Sequence, residues 1–230
     1  VIILETDRRY AILEADMPSM FPSEVHYCKE LLKDMADVDH DHSWIAVSHS
    51  FSAPHTWHLL SEQNDTYRPK ALDENPAYME IAQLINEAYR TAYKEAVSEA
   101  LKDMREAVCG SGSGICGINC NRNVETADGW WEGVNYEGYA DHKVSVIRFN
   151  DLNGSTIAVI YNYSMQVGVM AGEFPDLGGR VTSADVVGVS SLYVERELGG
   201  TAMFLCGATG DQAPIFKCNY VENDIDGRYR

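Results

Sequence analysis

Apolar positions along the chain change period several times, and each change marks an element. Residues 1–4 and 10–16 are short apolar runs separated by the charged stretch Glu5-Thr-Asp-Arg-Arg9, which predicts two strands across a turn, the second ending at Asp16. Val25, Cys28, Leu31, Leu32 and Met35 then recur at helical spacing behind Pro22. A proline suits a first helical turn, where its missing N–H has no intrahelical partner, so a helix is predicted over 22–36. Trp44 to Ser48 is a short apolar run that ends in His49 and breaks into Ser50-Phe-Ser-Ala-Pro54, the pattern of a buried strand handing a histidine to a loop. From Pro76 to Val108 a stripe of Ile81, Leu84, Ile85, Ala88, Ala92, Ala96 and Leu101 predicts the longest helix, with Gly110 as its stop. The Gly/Ser run at 110–114 reads as a flexible linker, with a strand able to restart at Ile115. Lys143 to Phe149 and Thr156 to Tyr163 are predicted strands across Asn150-Asp-Leu-Asn-Gly154, a hairpin signal. Ser183 is expected to cap a helix over 185–198 that Gly199-Gly200 ends. Thr201 to Cys206 is apolar throughout and is expected to be a central strand.

Strands alternating with helices predict an α/β fold: a mixed β-sheet core flanked by helices at 22–36, 76–108 and 185–198, in a single domain over residues 1–230. A chain of 230 residues is long enough for one sizeable core.

Charge narrows the partners. The net charge of -17 argues against nucleic acid and against electrostatic attraction to anionic lipid, both of which are themselves negative. The longest apolar stretch, Ile157 to Ala171, is interrupted by Asn162, Ser164, Gln166 and Gly168 and is too short and polar to span a bilayer. No signal peptide is visible, since the sequence opens on Val-Ile-Ile-Leu without a basic segment, and a cytoplasmic location with reduced thiols is expected. Cysteines 28, 109, 116, 120, 206 and 218 are too sparse for a disulfide scaffold, and the 109–116–120 spacing does not match a paired zinc knuckle. The run Asp37-Val-Asp-His-Asp-His42 precedes the strand that delivers His49, at its opposite end, and reads as a solvated loop rather than a metal site.

Polar groups gather where apolar runs end. Asp16, His49, the stretch Asn162-Tyr-Ser-Met-Gln166 and the loop Gly207-Ala-Thr-Gly-Asp211-Gln-Ala-Pro214 all follow strand-like segments. In α/β sheets such ends are where ligands bind, which predicts one cleft lined by His49, Gln166 and Asp211, with Asp16 at its edge.

These segments resemble a known family. Ser48-His49-Ser50-Phe51-Ser52-Ala53-Pro54 resembles the Thr-His-Thr-His-Ser-Gly-Pro segment of the neutral/alkaline, non-lysosomal ceramidases, and Asn121-Arg122-Asn123 resembles their Asn-Arg motif. Asp141 to Phe149 is similar to the Asp-x-x-Val-x-Val-Leu-Arg-Phe strand of bacterial relatives. Asn162 to Met170 falls where relatives carry Asn-Phe-Ala-x-His-Pro-Thr, Ser183-Ala-Asp185-x-x-Gly188 resembles Ser-Ala-Asp-x-x-Gly, and Gly207 to Pro214 resembles Gly-Ala-x-Gly-Asp-x-x-Pro. The resemblance covers nearly the whole chain, as part of a catalytic domain that is longer in the family and runs beyond both ends; the family's remaining metal ligands, a Glu and a Tyr, lie outside this stretch.

The resemblance implies a metal-dependent amidohydrolase, with zinc as cofactor and a small-molecule or lipid-like substrate. It assigns His49 and Asp211 to catalysis, His49 and Gln166 to a metal, and Phe51, His55, Asn121, Arg122 and Asn162 to substrate; Asp16, at a neighbouring strand end, is a further candidate metal ligand by its position. The departures bear on that assignment: Phe51 replaces the family's second histidine, Gln166 its other metal-binding histidine, and Ala213 the serine of its Gly-Asp-x-Ser-Pro loop. The expected function is a ceramidase-like hydrolase of a non-peptide amide or related bond with a remodelled metal site. The alternative is a non-catalytic, ligand-binding descendant of the same fold. His55 and His58 are near enough in sequence to stand in as ligands.

Overall fold

The computed structural model describes residues 1–54, 56, 75–172 and 178–215. Its architecture is α/β, with helices beside mixed and antiparallel sheets. The contacts gather into two compact units, one of Val1–Leu13, Ser19–Ala46 and Pro54–Met104, the other of Glu14–Pro18, Val47–Ala53 and Arg105–Arg230.

In the first unit, β1 (Ile2–Glu5) pairs antiparallel with β2 (Arg9–Ala15) in a register that sets Ile2 opposite Ile12 and Glu5 opposite Arg9. β3 (Ser43–Val47) completes the order β1-β2-β3. Ala11 and Leu13 of β2 are buried, the alternation expected of a strand with one covered face. Helix α1 (Pro22–Ala36) occupies the predicted span. It closes on Asp37, whose left-handed φ of 54° lets the Asp37 and Val38 N–H groups reach the Lys33 and Leu32 carbonyls at 3.1 and 3.3 Å. Helix α2 (Pro76–Lys102) starts with Asn75 Oδ1 accepting from Ala77 N at 3.0 Å and ends six residues before Val108.

The buried face of α2 is not the expected stripe. Ala82, Asn86, Tyr93 and Val97 are buried, whereas Ile81 and Leu84 are exposed. Packing is set instead by a charge: the buried carboxylate of Glu24 on α1 receives Arg90 Nη2 at 2.8 Å, and the same guanidinium lies 4.4 Å from the Tyr27 ring centroid. An apolar periodicity counts Asn86 and Arg90 as solvent positions and so rotates the helix away from its true contact.

In the second unit, β4 (Ala107–Ile115), β7 (Lys143–Asp151), β8 (Thr156–Tyr163) and β9 (Thr201–Cys206) form a mixed sheet in the order β4-β7-β8-β9. The first two pairings are antiparallel and β8–β9 is parallel, with α3 (Asp185–Leu198) in the connection. Two expectations change here. The Gly/Ser run at 110–114 is not a linker but the middle of β4, held residue by residue opposite Arg148 to Val144; backbone pairing supplies the order that small exposed side chains do not advertise. β9 stands at the end of the sheet order, not at its centre, although Met203, Phe204 and Leu205 are buried in succession. Cover on both faces produces such a run without strands on both sides; Phe204 packs with Tyr163, Met165, Val167 and Val187.

A smaller antiparallel sheet has no counterpart among the predicted elements. β5 (Asn119–Thr126) and β6 (Gly129–Asn135) meet across an Ala127-Asp128 turn, with Gly129 at φ 116° opening the return strand, and β10 (Gln212–Pro214) pairs Ala213 with Cys120 to complete the order β10-β5-β6.

Truncating Arg90 to Met is expected to leave the Glu24 carboxylate buried without its partner and to lower stability by about 1–3 kcal/mol. The urea midpoint of the variant against that of Glu24→Gln/Arg90→Met, in which no lone charge remains, measures it.

Candidate functional site

The site residues described here all belong to the second unit. Ser48 N donates to Ala15 O at 3.1 Å, which brings the end of β3 beside the end of β2. His49 follows at φ 61°, a left-handed conformation that costs a non-glycine residue about 1–3 kcal/mol and clusters at functional positions. Its Nδ1 lies 2.6 Å from Pro18 O. A carbonyl can only accept, so Nδ1 carries the proton and, in the neutral ring, Nε2 presents a lone pair. Phe51 packs its edge against the imidazole with centroids 4.7 Å apart and is itself exposed.

A buried carboxylate fixes this loop. Asp185, 2 % exposed and at φ 58°, accepts from Met170 N at 2.6 Å, Val186 N at 2.7 Å, Val169 N at 3.2 Å and Ser52 Oγ at 3.3 Å. The expected cap is present one step removed: Ser183 Oγ accepts from Asp185 N at 2.9 Å. Ser50 bridges Val167, and Phe51 N donates to Val167 O at 2.9 Å, so the His49 loop runs directly beside Gln166.

On the other side of Gln166 lies Arg122. Its Nη1 donates to Gln166 Oε1 at 2.8 Å and lies 3.3 Å from Glu132 Oε2, while Nε donates to Gly210 O at 2.9 Å. Arg122 N donates to Asp211 O at 2.8 Å, and Asn121 Nδ2 donates to Asp211 Oδ2 at 3.2 Å. Behind them buried Asn119 donates to Ser164 O at 2.6 Å and Asp141 O at 2.8 Å. Gly207 is needed for the approach of the last loop, because a Cβ there would lie 2.6 Å from Ser164 Oγ.

Gln166, Arg122, Asp211 and Asn121 thus form one hydrogen-bonded chain, with His49 and Phe51 joined to it through the Val167 bridge. Desolvation holds the Asp16 carboxyl above its ordinary value, offset in part by the nearby Ser48 hydroxyl, although the residue as a whole keeps an exposed surface. Asn162 lies within the sheet, its amide donating to Leu205 O at 2.8 Å and tying β8 to β9. Ala213 is buried in β10. His55 and His58 lie outside the described residues.

Glu14 was not among the predicted site residues. Burial, and secondly the negative charge of Asp16, push its carboxyl from 4.5 to about 8, and its Oε1 has no hydrogen-bond partner among the described residues. An acid inside the apolar run Ala11-Ile-Leu-Glu14-Ala was the available signal.

No family model matches the chain, and no curated protein matches it. Among solved structures it is similar to neutral ceramidase from Pseudomonas aeruginosa, with a TM-score of 0.65 and 18% identity over 95% of this chain. The fold is ceramidase-like. A ceramidase complexed with C2 gives a TM-score of 0.64 and 19% identity over 91% of this chain. The chain spans about a third of the length of these proteins, 33% and 31% respectively. At such identity the likeness is one of fold.

Among the described residues, the set around His49 does not by itself fit the zinc implied by the ceramidase resemblance. Gln166 Oε1 is engaged by a guanidinium, whose positive charge would oppose a dication at that oxygen. Among the described residues, no group of three His, Cys, Asp or Glu ligand atoms includes His49. A zinc site built by the protein needs at least three ligands.

Because the folded state keeps Glu14 protonated to about 8 and the unfolded chain releases that proton near 4.5, unfolding becomes easier as pH rises through this window. Glu14→Gln is therefore expected to match the parent near about pH 5 and to exceed it in urea midpoint at about pH 9.

Proposed function

We propose that this chain is a ligand-binding member of the ceramidase-like fold that takes a small, amide-containing or lipid-like molecule without a zinc-dependent hydrolytic step. The observation that carries this reading is the 2.8 Å hydrogen bond from Arg122 to Gln166 Oε1. It puts a fixed positive charge on the side chain that aligns with the ceramidases' metal-binding histidine. The ligand would meet polar groups at His49 Nε2 and Asp16 and an apolar ring at Phe51. Amide recognition fits such a set, since one donor and one acceptor satisfy an amide that would otherwise lose its hydrogen bonds on burial.

A second reading, hydrolysis of an amide or related bond, is favoured by His49. Its ring is held through Nδ1, which makes Nε2 the acceptor nitrogen that a general base requires. Asp211, oriented by Asn121, would then polarise or position the substrate.

The test is to offer a short-chain N-acyl sphingosine in non-ionic detergent, with zinc supplied, and to follow binding by calorimetry and fatty-acid release together. Binding without release is expected, weakened about tenfold by His49→Ala, a loss of about 1.4 kcal/mol. Release that depends on zinc and on His49 would overturn this in favour of the hydrolase, and neither binding nor release would overturn both.

A further inference from the structure

The loop that reads in sequence as a solvated Asp/His run is folded back onto α1. His26 and Glu30 stand one turn apart on the helix, and the left-handed Asp37 reverses the chain so that a short 3-10 turn, His40–His42, meets them. Lys29 Nζ holds the His40 carbonyl at 2.9 Å, which fixes the turn against the helix. His42 is engaged elsewhere, packed edge-on against Tyr10.

Glu30 Oε1 lies 2.8 Å from His40 Nε2 and 4.0 Å from His26 Nε2. The two imidazole rings are nearly perpendicular, with centroids 5.8 Å apart, and the three ligand atoms all lie within 4.8 Å of one another. His40 Nε2 is buried and, despite its nearness to Glu30, makes no aligned hydrogen bond among the described residues. A zinc ion bound tetrahedrally at roughly 2.0–2.1 Å holds its ligand atoms about 3.3 Å apart, between the two contacts observed. Small side-chain rotations of Glu30 and the exposed His26 would equalise them. Two imidazoles and one carboxylate are a zinc-type donor set, borderline in softness, where an all-oxygen cluster would favour magnesium or calcium.

We propose that His26, Glu30 and His40 bind a zinc ion, with water in the remaining position, clipping α1 to the turn that follows it. The site lies in the first unit and shares no residue with the His49 loop. Its ligands come from an i, i+4 helical pair and a loop residue ten positions further on, which is why the Asp/His run by itself shows no ligand spacing.

The test uses the untagged chain, stripped of metal and titrated with zinc against a chromophoric chelator. One tightly bound zinc per chain is expected. Loss of a metal's outer-sphere partner costs about 10–100-fold in affinity, so removing two direct ligands in His26→Gln/His40→Gln should cost at least about 100-fold. His49→Ala should leave zinc affinity and stoichiometry unchanged. Cobalt loaded in place of zinc should give the visible absorption of a tetrahedral ion, absent from the double variant while its circular dichroism stays that of the parent. No zinc bound, affinity untouched by the double variant, or zinc lost with His49→Ala would each overturn the proposal.

Discussion

The carboxylate of Asp185 collects backbone N–H groups from Val169, Met170 and Val186 and the Ser52 hydroxyl, at a residue almost fully buried and held in a left-handed conformation. Three separate stretches, the His49 loop, the segment after β8 and the start of α3, meet at this one acid. Several charge-assisted hydrogen bonds offset the cost of taking a carboxylate from water, and the same bonds leave little freedom to the loops they join. The Ser50–Val167 bridge and the position of Gln166 beside His49 depend on that closure. The strain at His49 is supported in the same way, by surroundings that fix both ends of its loop.

Polar groups inside the second unit are satisfied unequally, and the inequality separates scaffold from site. Asn119 and Asn121 are fully engaged with backbone and neighbouring side chains, and they fix the register of the small sheet. Glu14 is the opposite case: an acid in an apolar strand, its carboxyl raised to about 8 beside Asp16. Protonated to higher pH than an ordinary carboxyl, it can act as a donor where Asp16 offers an acceptor. Arg122 connects the two regimes, since its guanidinium bonds both the Gly210 carbonyl of the last loop and the Gln166 amide. A ceramidase-like backbone can carry different side chains at the ends of its strands, because the fold is held by burial and pairing and any reaction by a few side chains.

Much of the fold was legible in the chain. The helices at 22–36 and 185–198 and the strand at 201–206 lie where their periodicity, proline and glycine positions put them. The motifs at His49, Asn121-Arg122, Asn162–Met170 and Gly207–Pro214 pointed to a ceramidase-like arrangement, because strand-end polar residues keep their order along the chain whatever the overall identity. Elements whose stability comes from backbone pairing alone were hidden. The strand through the Gly/Ser run and the sheet around β5 carry little apolar alternation, so nothing local distinguishes them from loop. The packed face of α2 was hidden for the converse reason: beside Ala82, Tyr93 and Val97 it includes buried Asn86 and the Arg90 that pairs with Glu24, which a polarity pattern assigns to water.

What the sequence by itself determined is the local part, namely which stretches are helix or strand, the strong net acidity, and the departures from the ceramidase motifs at Phe51, Gln166 and Ala213. Tertiary structure alone decided which polar groups meet. It set Arg122 on Gln166, held His49 through Nδ1 on the Pro18 carbonyl, desolvated Glu14 beside Asp16, and turned an acidic loop back so that His40 reaches His26 and Glu30. Such encounters depend on chain reversals and on residues distant along the sequence, and electrostatic outcomes follow from distance and burial rather than from residue type.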